Sequence, residues 1–226
     1  MLRLYYHPFA SYCHKVLIAL YEKDLPFEPV LINLGDPDDR ERLRSVWPMM
    51  KFPVLEDTES GRIWPESSVI IELLDGYAPE TPRMVPTDRE QALRARISDR
   101  FFDNFIADHV TKCVVDSMRP EGRKDPEGVN QAKAAIRAAY DHVDADIGEG
   151  PWGAGEAFTL ADCSAAPALF YAGLILPRDD HPRLDAYYKR LRARPSFKRV
   201  VEEARPYRQL MPLPWPRGYE QEGETP

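Results

Sequence analysis

The sequence predicts a chain in two parts, an α/β half of βαβ-α-ββα order followed by an all-α helical bundle. Period-two alternation and strand-like runs bounded by turn signals are read within the first 65 residues, while the second half carries apolar residues at a 3.6-residue period. Between them, Pro79, Pro82 and Pro86 fall within eight residues and cannot continue a helix or a central strand. Residues 1–78 are therefore expected as one domain, 79–87 as a linker and 88–226 as a helical domain with an extended tail.

Leu2, Leu4 and Tyr6 alternate with Arg3 and Tyr5, predicting a strand that His7-Pro8 ends. Cys13, Val16, Leu17, Leu20 and Tyr21 then form the stripe of an amphipathic helix that stops before Pro26. Phe27 to Ile32 reads as a second strand, and a strand-helix-strand unit of this length implies a right-handed crossover between parallel strands. Leu43, Val46 and Trp47 are spaced for a short helix, and the runs at Pro53-Val54-Leu55-Glu56 and Arg62-Ile63-Trp64 predict a hairpin turning at Ser60-Gly61. Val69, Ile70, Leu73, Leu74 and Tyr77 return to helical spacing.

Beyond the prolines, Leu93, Ile97, Phe101 and Phe105 recur every fourth residue. Val129, Ala132, Ile136, Tyr140, Val143 and Ile147 follow the helical period, with shorter patterns over Leu160 to Leu176, Leu184 to Leu191 and Phe197 to Ala204. The last twenty residues hold several prolines and read as an extended tail. Phe158-Thr159-Leu160-Ala161-Asp162-Cys163 carries the grammar of a capping box, in which the Thr159 and Asp162 side chains each take the other's backbone amide.

Composition narrows the function. With 43% apolar, 11% aromatic and 30% charged residues, the chain can bury a core. It lacks the long apolar run of a membrane span and the pattern of a secretory signal, so a cytoplasmic location is expected. Thirty basic against 37 acidic residues give a net charge of −7, which disfavours a general binder of nucleic acid or anionic membrane. The basic stretch from Arg190 to Arg199 is read as a solvated helix end. Cys13, Cys113 and Cys163 are odd in number and far apart, as suits a reducing compartment, and no C-x-x-C exists. The five histidines show no metal-ligand spacing, and no metal is expected.

Three loops carry candidate chemistry. Ala10-Ser11-Tyr12-Cys13-His14 lies where the first strand hands over to the first helix, a place where helix amides and dipole favour an anion such as a thiolate. Taken singly, Ser11 reads as a helix cap and Cys13 as a small core residue. Lys51-Phe52-Pro53 places a proline at a strand's opening, where a cis bond leaves the Phe52 N–H and C=O free for a peptide-like ligand. Glu66-Ser67 opens a helix, so Ser67 either caps it or joins the free amides in holding a carboxylate, while Glu66 can pair with an ammonium.

Taken in order, these segments give the chain a known likeness. Residues 1–78 resemble the thioredoxin-like N-terminal domain of cytosolic glutathione transferases, and residues 88–204 resemble their all-helical C-terminal domain. Phe52-Pro53-Val54-Leu55 is similar to the family's cis-proline segment, Glu66-Ser67 to its glutamate-serine pair and Phe158 to Asp162 to its buried capping box. The resemblance implies a glutathione transferase that binds glutathione as co-substrate, stabilises its thiolate and conjugates it to a small apolar electrophile, usually as a homodimer with a role in detoxification. It implies that Glu66 and Ser67 hold the γ-glutamyl end, that the Phe52 backbone, set by Pro53, pairs with the cysteinyl part, and that Lys51 lies near the glycyl carboxylate.

By the same resemblance Ser11 donates to the sulfur. A free thiol with a pKa of about 8.5 is only a few per cent ionised at pH 7, so a hydrogen bond to the thiolate supplies what the reaction needs. Many serine-type relatives carry that serine one position earlier, at Ala10 here, so Tyr6, Tyr12 and Cys13 stand beside Ser11 as alternatives. A reactive Cys13 would shift the chemistry to mixed disulfides and thiol transfer. Phe101, Phe102, Phe105, Ile106 and Tyr171 are the expected walls for the electrophile, with Trp215 closing over them. A ligand carrier or interaction module of the same fold is the alternative, as is a glutathione-dependent dehalogenase, isomerase or peroxidase.

Overall fold

The computed structural model describes residues 1–148 and 150–213. Four strands, β1 (Leu2–Tyr6), β2 (Phe27–Leu31), β3 (Val54–Asp57) and β4 (Arg62–Pro65), form one mixed sheet in the order β2-β1-β3-β4. β1 runs parallel to β2 and antiparallel to β3, and β3 and β4 make the expected hairpin. Pro29 sits in β2, an edge strand, where its missing N–H interrupts no central ladder.

Helices α1 (Ser11–Glu22), α2 (Pro37–Val46) and α3 (Ser67–Tyr77) complete this half. α1 is buried on every side from Cys13 to Leu20 because α3 packs on one flank and two helices of the second half on the other. Such a helix has no solvent face, so Lys15 and Lys23 are buried with it and must be paired. Lys23 Nζ meets Asp75 at 2.9 Å, and the Asp75 carboxylate accepts the amides of Met84 and Val85 at 2.8 and 3.0 Å. The proline-rich segment is thereby pinned to α1 and α3, and the Met84 carbonyl accepts the amide of Leu160 at 2.8 Å from the helical half.

The helical half comprises α4 (Arg89–Phe101), α5 (Asp108–Ser117), α6 (Pro126–Asp146), α7 (Leu160–Ala172), α8 (Pro182–Ala193) and α9 (Pro195–Ala204). α7 is apolar all round and buried from end to end, the central helix against which α1, α4 and α8 pack. Its start is the capping box. Asp162 accepts from the Thr159 amide at 2.8 Å, the Gly153 amide at 2.8 Å and the Tyr187 hydroxyl at 2.6 Å.

Two details of the second half depart from expectation. The stripe Leu93, Ile97 and Phe105 faces outward, at 48, 67 and 54% exposure, while Ala92, Ala95, Asp99, Phe102 and Ile106 face the core. Periodicity locates two faces of a helix, and here the charge pairing of Asp99 decides which one turns inward. α4 also passes through a π-helical segment, Phe102–Ala107, into α5, which shifts the phase of the pattern by one residue. At the C-terminal end, Arg205–Leu210 forms a 3₁₀ segment where an extended chain is expected, and the tail beyond residue 213, with Trp215, lies outside the described residues.

Three cations of the basic stretch have partners within the chain. Arg190 donates to the Pro151 carbonyl at 2.8 Å, Arg194 pairs with Glu22 at 2.6 Å across the two halves, and Arg199 pairs with Glu203 at 2.9 Å. These cations fasten loops and helices.

Candidate active site

Strand register gathers the three candidate loops at one edge of the sheet. Tyr5 of β1 lies opposite Val54 of β3, and Val54 lies opposite Pro65 of β4. The chain leaving β1, the chain entering β3 and the chain leaving β4 therefore stand side by side. They carry Ser11, Phe52-Pro53 and Glu66-Ser67 respectively. The His7 ring stacks on the Phe52 ring at 6.0 Å and an interplanar angle of 16°, joining the first two loops.

The β1–α1 connection is a tight turn from His7 to Ala10, closed by the Ala10 amide on the His7 carbonyl at 3.1 Å, with Pro8 supplying its fixed φ. The Phe9 amide donates to His7 Nδ1 at 3.1 Å. Ala10 occupies the N-cap position of α1, so Ser11 is the first helical residue and not a cap. Its side chain is half-buried and engages in no hydrogen bond among the described residues.

Two of the neighbouring groups are committed elsewhere. The Tyr12 hydroxyl donates to Asp108 at 3.0 Å, and burial together with the charges of Asp103 and Asp108 pushes its phenol up. Cys13 has no exposed surface, and burial raises its thiol far above the usual range, opposed only by the His7 amide. That environment holds a thiol, not a nucleophilic thiolate. Tyr6 is raised by burial and by Glu203 and Tyr207 of the helical half. Of the four candidates, Ser11 and Tyr6 carry hydroxyls without a hydrogen bond among the described residues, Ser11 at the first position of α1 and Tyr6 at the end of β1.

The Phe52–Pro53 peptide bond is cis, and β3 begins only at Val54, so the Phe52 N–H and C=O stand outside the ladder. Met50 and Glu66 adopt φ of +57° and +72°, a left-handed region that side chains disfavour and that the surroundings must enforce. Lys51 and Glu66 are exposed, while Pro53 and Ser67 are buried. Glu66 stands at the N-cap position of α3 without capping it, and the helix's first internal bond runs from the Ile70 amide to the Glu66 carbonyl at 2.9 Å. The amides of Ser67, Ser68 and Val69 thus have no partner within α3.

Behind this helix start lies a charge cluster absent from the sequence reading. Lys15 Nζ contacts Asp99 at 2.8 Å, Asp103 at 2.7 Å and the Ser68 hydroxyl at 3.1 Å. Arg100 joins Asp99 at 2.7 Å, Asp103 at 2.5 Å and Ser68, and the Ser164 hydroxyl donates to Asp99. Burial works to raise the Asp99 carboxyl, but Lys15, Ser164 and Arg100 together hold it below its usual range, while burial and the Asp99 charge raise Asp103. The available signal was Asp99, on the alanine face of α4, with Asp103 four residues on in the π-helical segment, and Lys15 among the apolar residues of α1.

Of the expected electrophile walls, Phe102, at 5.9 Å, and Phe105 both pack against Phe101, while Tyr171 packs elsewhere. Phe101 stacks on Phe105 at 5.1 Å and meets His142 at 4.9 Å on the outer side of α4, whereas Phe102 and Ile106 are core residues. Tyr171 is buried against His14 at 5.6 Å. Among the described residues no group of three metal-ligating side chains is placed to hold an ion, and no helix is long and apolar enough to cross a membrane.

A small mixed sheet with a cis-proline loop, flanked by an all-helical half, defines a thioredoxin-like glutathione-transferase architecture. Glutathione S-transferase N-terminal and C-terminal domain families match residues 4–82 and 126–190. A glutathione S-transferase from Methylobacterium radiotolerans, solved with glutathione sulfonate, is 30% identical with a TM-score of 0.77, over 88% of this chain and 93% of that one. Another from Methylobacillus flagellatus, solved with glutathione bound, is 27% identical with a TM-score of 0.81, over 88% and 98%. The curated glutathione S-transferase GstB of Escherichia coli K12 is 26% identical over 193 residues, 83% of this chain and 91% of that protein. The chain belongs to the glutathione S-transferase family.

Proposed function

We propose that the protein binds glutathione across these three loops, stabilises its thiolate with the Ser11 hydroxyl and adds it to a small electrophile. One observation carries the reading: hydrogen-bonding groups without internal partners meet at a single sheet edge, namely the Ser11 hydroxyl, the Phe52 N–H and C=O, and the amides that open α3. In this reading the α3 amides and Ser67 hold the γ-glutamyl carboxylate, Glu66 takes the ammonium, and the Phe52 backbone pairs with the cysteinyl residue. Lys51 is near the glycyl carboxylate. A hydroxyl donating to sulfur favours thiolate over thiol. The two family members solved with glutathione or its sulfonate support the choice of ligand.

We further assign the exposed stripe Leu93, Ile97 and Phe105 to a homodimer contact, since three large apolar side chains on the outer face of α4 and the π-helical segment that follows it are otherwise left in water. Ile97→Glu is expected to convert a dimer to a monomer in sedimentation at micromolar concentration.

The decisive experiment follows thiolate absorbance of bound glutathione against pH, in the wild type and in Ser11→Ala, with binding measured by calorimetry. A lowered thiol pKa that returns by about one pH unit or more towards the free value in the variant, with affinity kept, supports the transferase. Binding without a lowered thiol pKa points to a carrier. No binding would sink the assignment of all three loops.

A further inference from the structure

The β1–α1 turn presents Ser11, and its own bonds are local: Ala10 on the His7 carbonyl and Phe9 on the His7 ring. One group of the turn is held from the helix beneath. His14 Nε2 lies 2.6 Å from the Pro8 carbonyl oxygen, and the His14 amide donates to the Ala10 carbonyl at 3.1 Å. Residue 14 thus grips the chain at two points, two residues apart, immediately before Ser11. A carbonyl oxygen can only accept, so Nε2 carries the hydrogen and Nδ1 the lone pair.

The ring is fixed on its other side as well. His14 is 1% exposed, and the Tyr171 ring of α7 stacks on it at 5.6 Å and 30°. Nothing polar holds Nδ1 among the described residues, so the ring's only side-chain hydrogen bond is the one to Pro8. The titratable groups facing it are His7 from the β1–α1 turn and Tyr171 from α7. Burial lowers His14 to about 4, so the ring is neutral and its tautomer constant across the range in which a thiol titrates.

Resting on the reading that Ser11 serves a bound glutathione thiol, we infer that His14 is a positioning residue for Ser11, holding the turn through Pro8 and so fixing where the Ser11 hydroxyl points. His14 touches no reacting atom. Its effect passes through the Pro8 peptide to the helix start, and through Tyr171 it ties that start to the helical half.

The chemistry of the hydrogen bond gives a discriminating test. Glutamine presents an amide N–H at the distance of imidazole Nε2, whereas asparagine is too short to reach the Pro8 carbonyl. The measurements are the thiol pKa of bound glutathione and the affinity for S-methylglutathione, which has no thiol to stabilise. For His14→Asn the thiol pKa is expected to rise by about one pH unit, with S-methylglutathione affinity within about twofold of wild type, because Phe52, Glu66 and Ser67 are untouched. His14→Gln is expected to keep the wild-type thiol pKa. Equal behaviour of the folded Gln and Asn variants would overturn the inference, whether both shift or neither does. Should the Asn variant fail to fold by circular dichroism, the Gln variant decides alone: a raised thiol pKa in it overturns the role. A wild type that binds glutathione without lowering its thiol pKa removes the underlying reading first, and is recorded before any variant is made.

Discussion

Helices α3 and α7 begin in opposite ways. At α7 every group is closed: Thr159 and Asp162 exchange hydrogen bonds, and the Asp162 carboxylate also gathers Gly153 and Tyr187. At α3 the N-cap residue Glu66 lies at φ +72°, makes no capping bond and leaves the following amides open. α1 repeats the second pattern with Ala10, while α2, α4 and α6 carry capping aspartates at Asp36, Asp88 and Asp125. A helix start closed by side chains contributes about 1 kcal/mol to stability. α5 also lacks both a capping side chain and a proline, but it continues directly from the π-helical segment; the two free-standing starts that forgo both, α1 and α3, flank the sheet edge where the ligand is expected. In the proposed reading, the difference separates residues that hold the fold from residues that bind the ligand.

The sharpest way to break this division is Asp162→Ala. It strands the amides of Gly153 and Thr159 and the buried Tyr187 hydroxyl, so a loss of about 3–5 kcal/mol in urea unfolding is expected, with glutathione affinity unchanged in the fraction that folds. A loss below about 1 kcal/mol would show that the closed start is not structural in the sense argued. Next in size is the acid limb of His14, which sits behind the open starts. Its folded pKa of about 4 lies below the unfolded value of about 6.5, so the unfolded chain takes up the proton first. The associated stability is complete above about pH 6.5 and is lost as pH falls towards 4, by about 3 kcal/mol. His14→Gln cannot titrate, and its denaturation midpoint is expected to decline less steeply over that interval. Parallel curves for the two proteins would mean that His14 is not neutral and buried as described.

Much of this was legible in the residues. Alternation gave β1, the i,i+4 spacing gave α1 and α3, and Thr159-x-x-Asp162 announced its own capping box, because each pattern is local. The hairpin signal brings Pro53 and Glu66-Ser67 to one end, but only an order resembling a family could place them beside the β1–α1 turn, since no local rule pairs β1 with β3. The orientation of α4 escaped: Leu93, Ile97 and Phe105 look like a core face until Lys15 of another domain is seen to draw Asp99 and Asp103 inward. Ser11 could not be distinguished from a cap, since a one-residue shift puts Ala10 in that position. His14 resembled any core histidine, its meaning lying in a carbonyl six residues away.

The smallest effect is the most direct comparison of the two starts, Thr159→Ala against Ser67→Ala. Both remove one hydroxyl from a buried residue at the opening of a helix. Thr159 caps, so its loss is expected to cost about 1 kcal/mol of unfolding free energy and to leave glutathione binding alone. Ser67 has no hydrogen bond to lose among the described residues, so stability is expected to stay within about 0.5 kcal/mol. Its hydroxyl is instead assigned to a ligand carboxylate, and a charge-assisted bond of about 1.5 kcal/mol corresponds to roughly tenfold weaker glutathione binding by calorimetry. If the two variants exchange these signatures, or if Ser67→Ala changes neither quantity, then an uncapped helix start in this chain does not mark a binding residue.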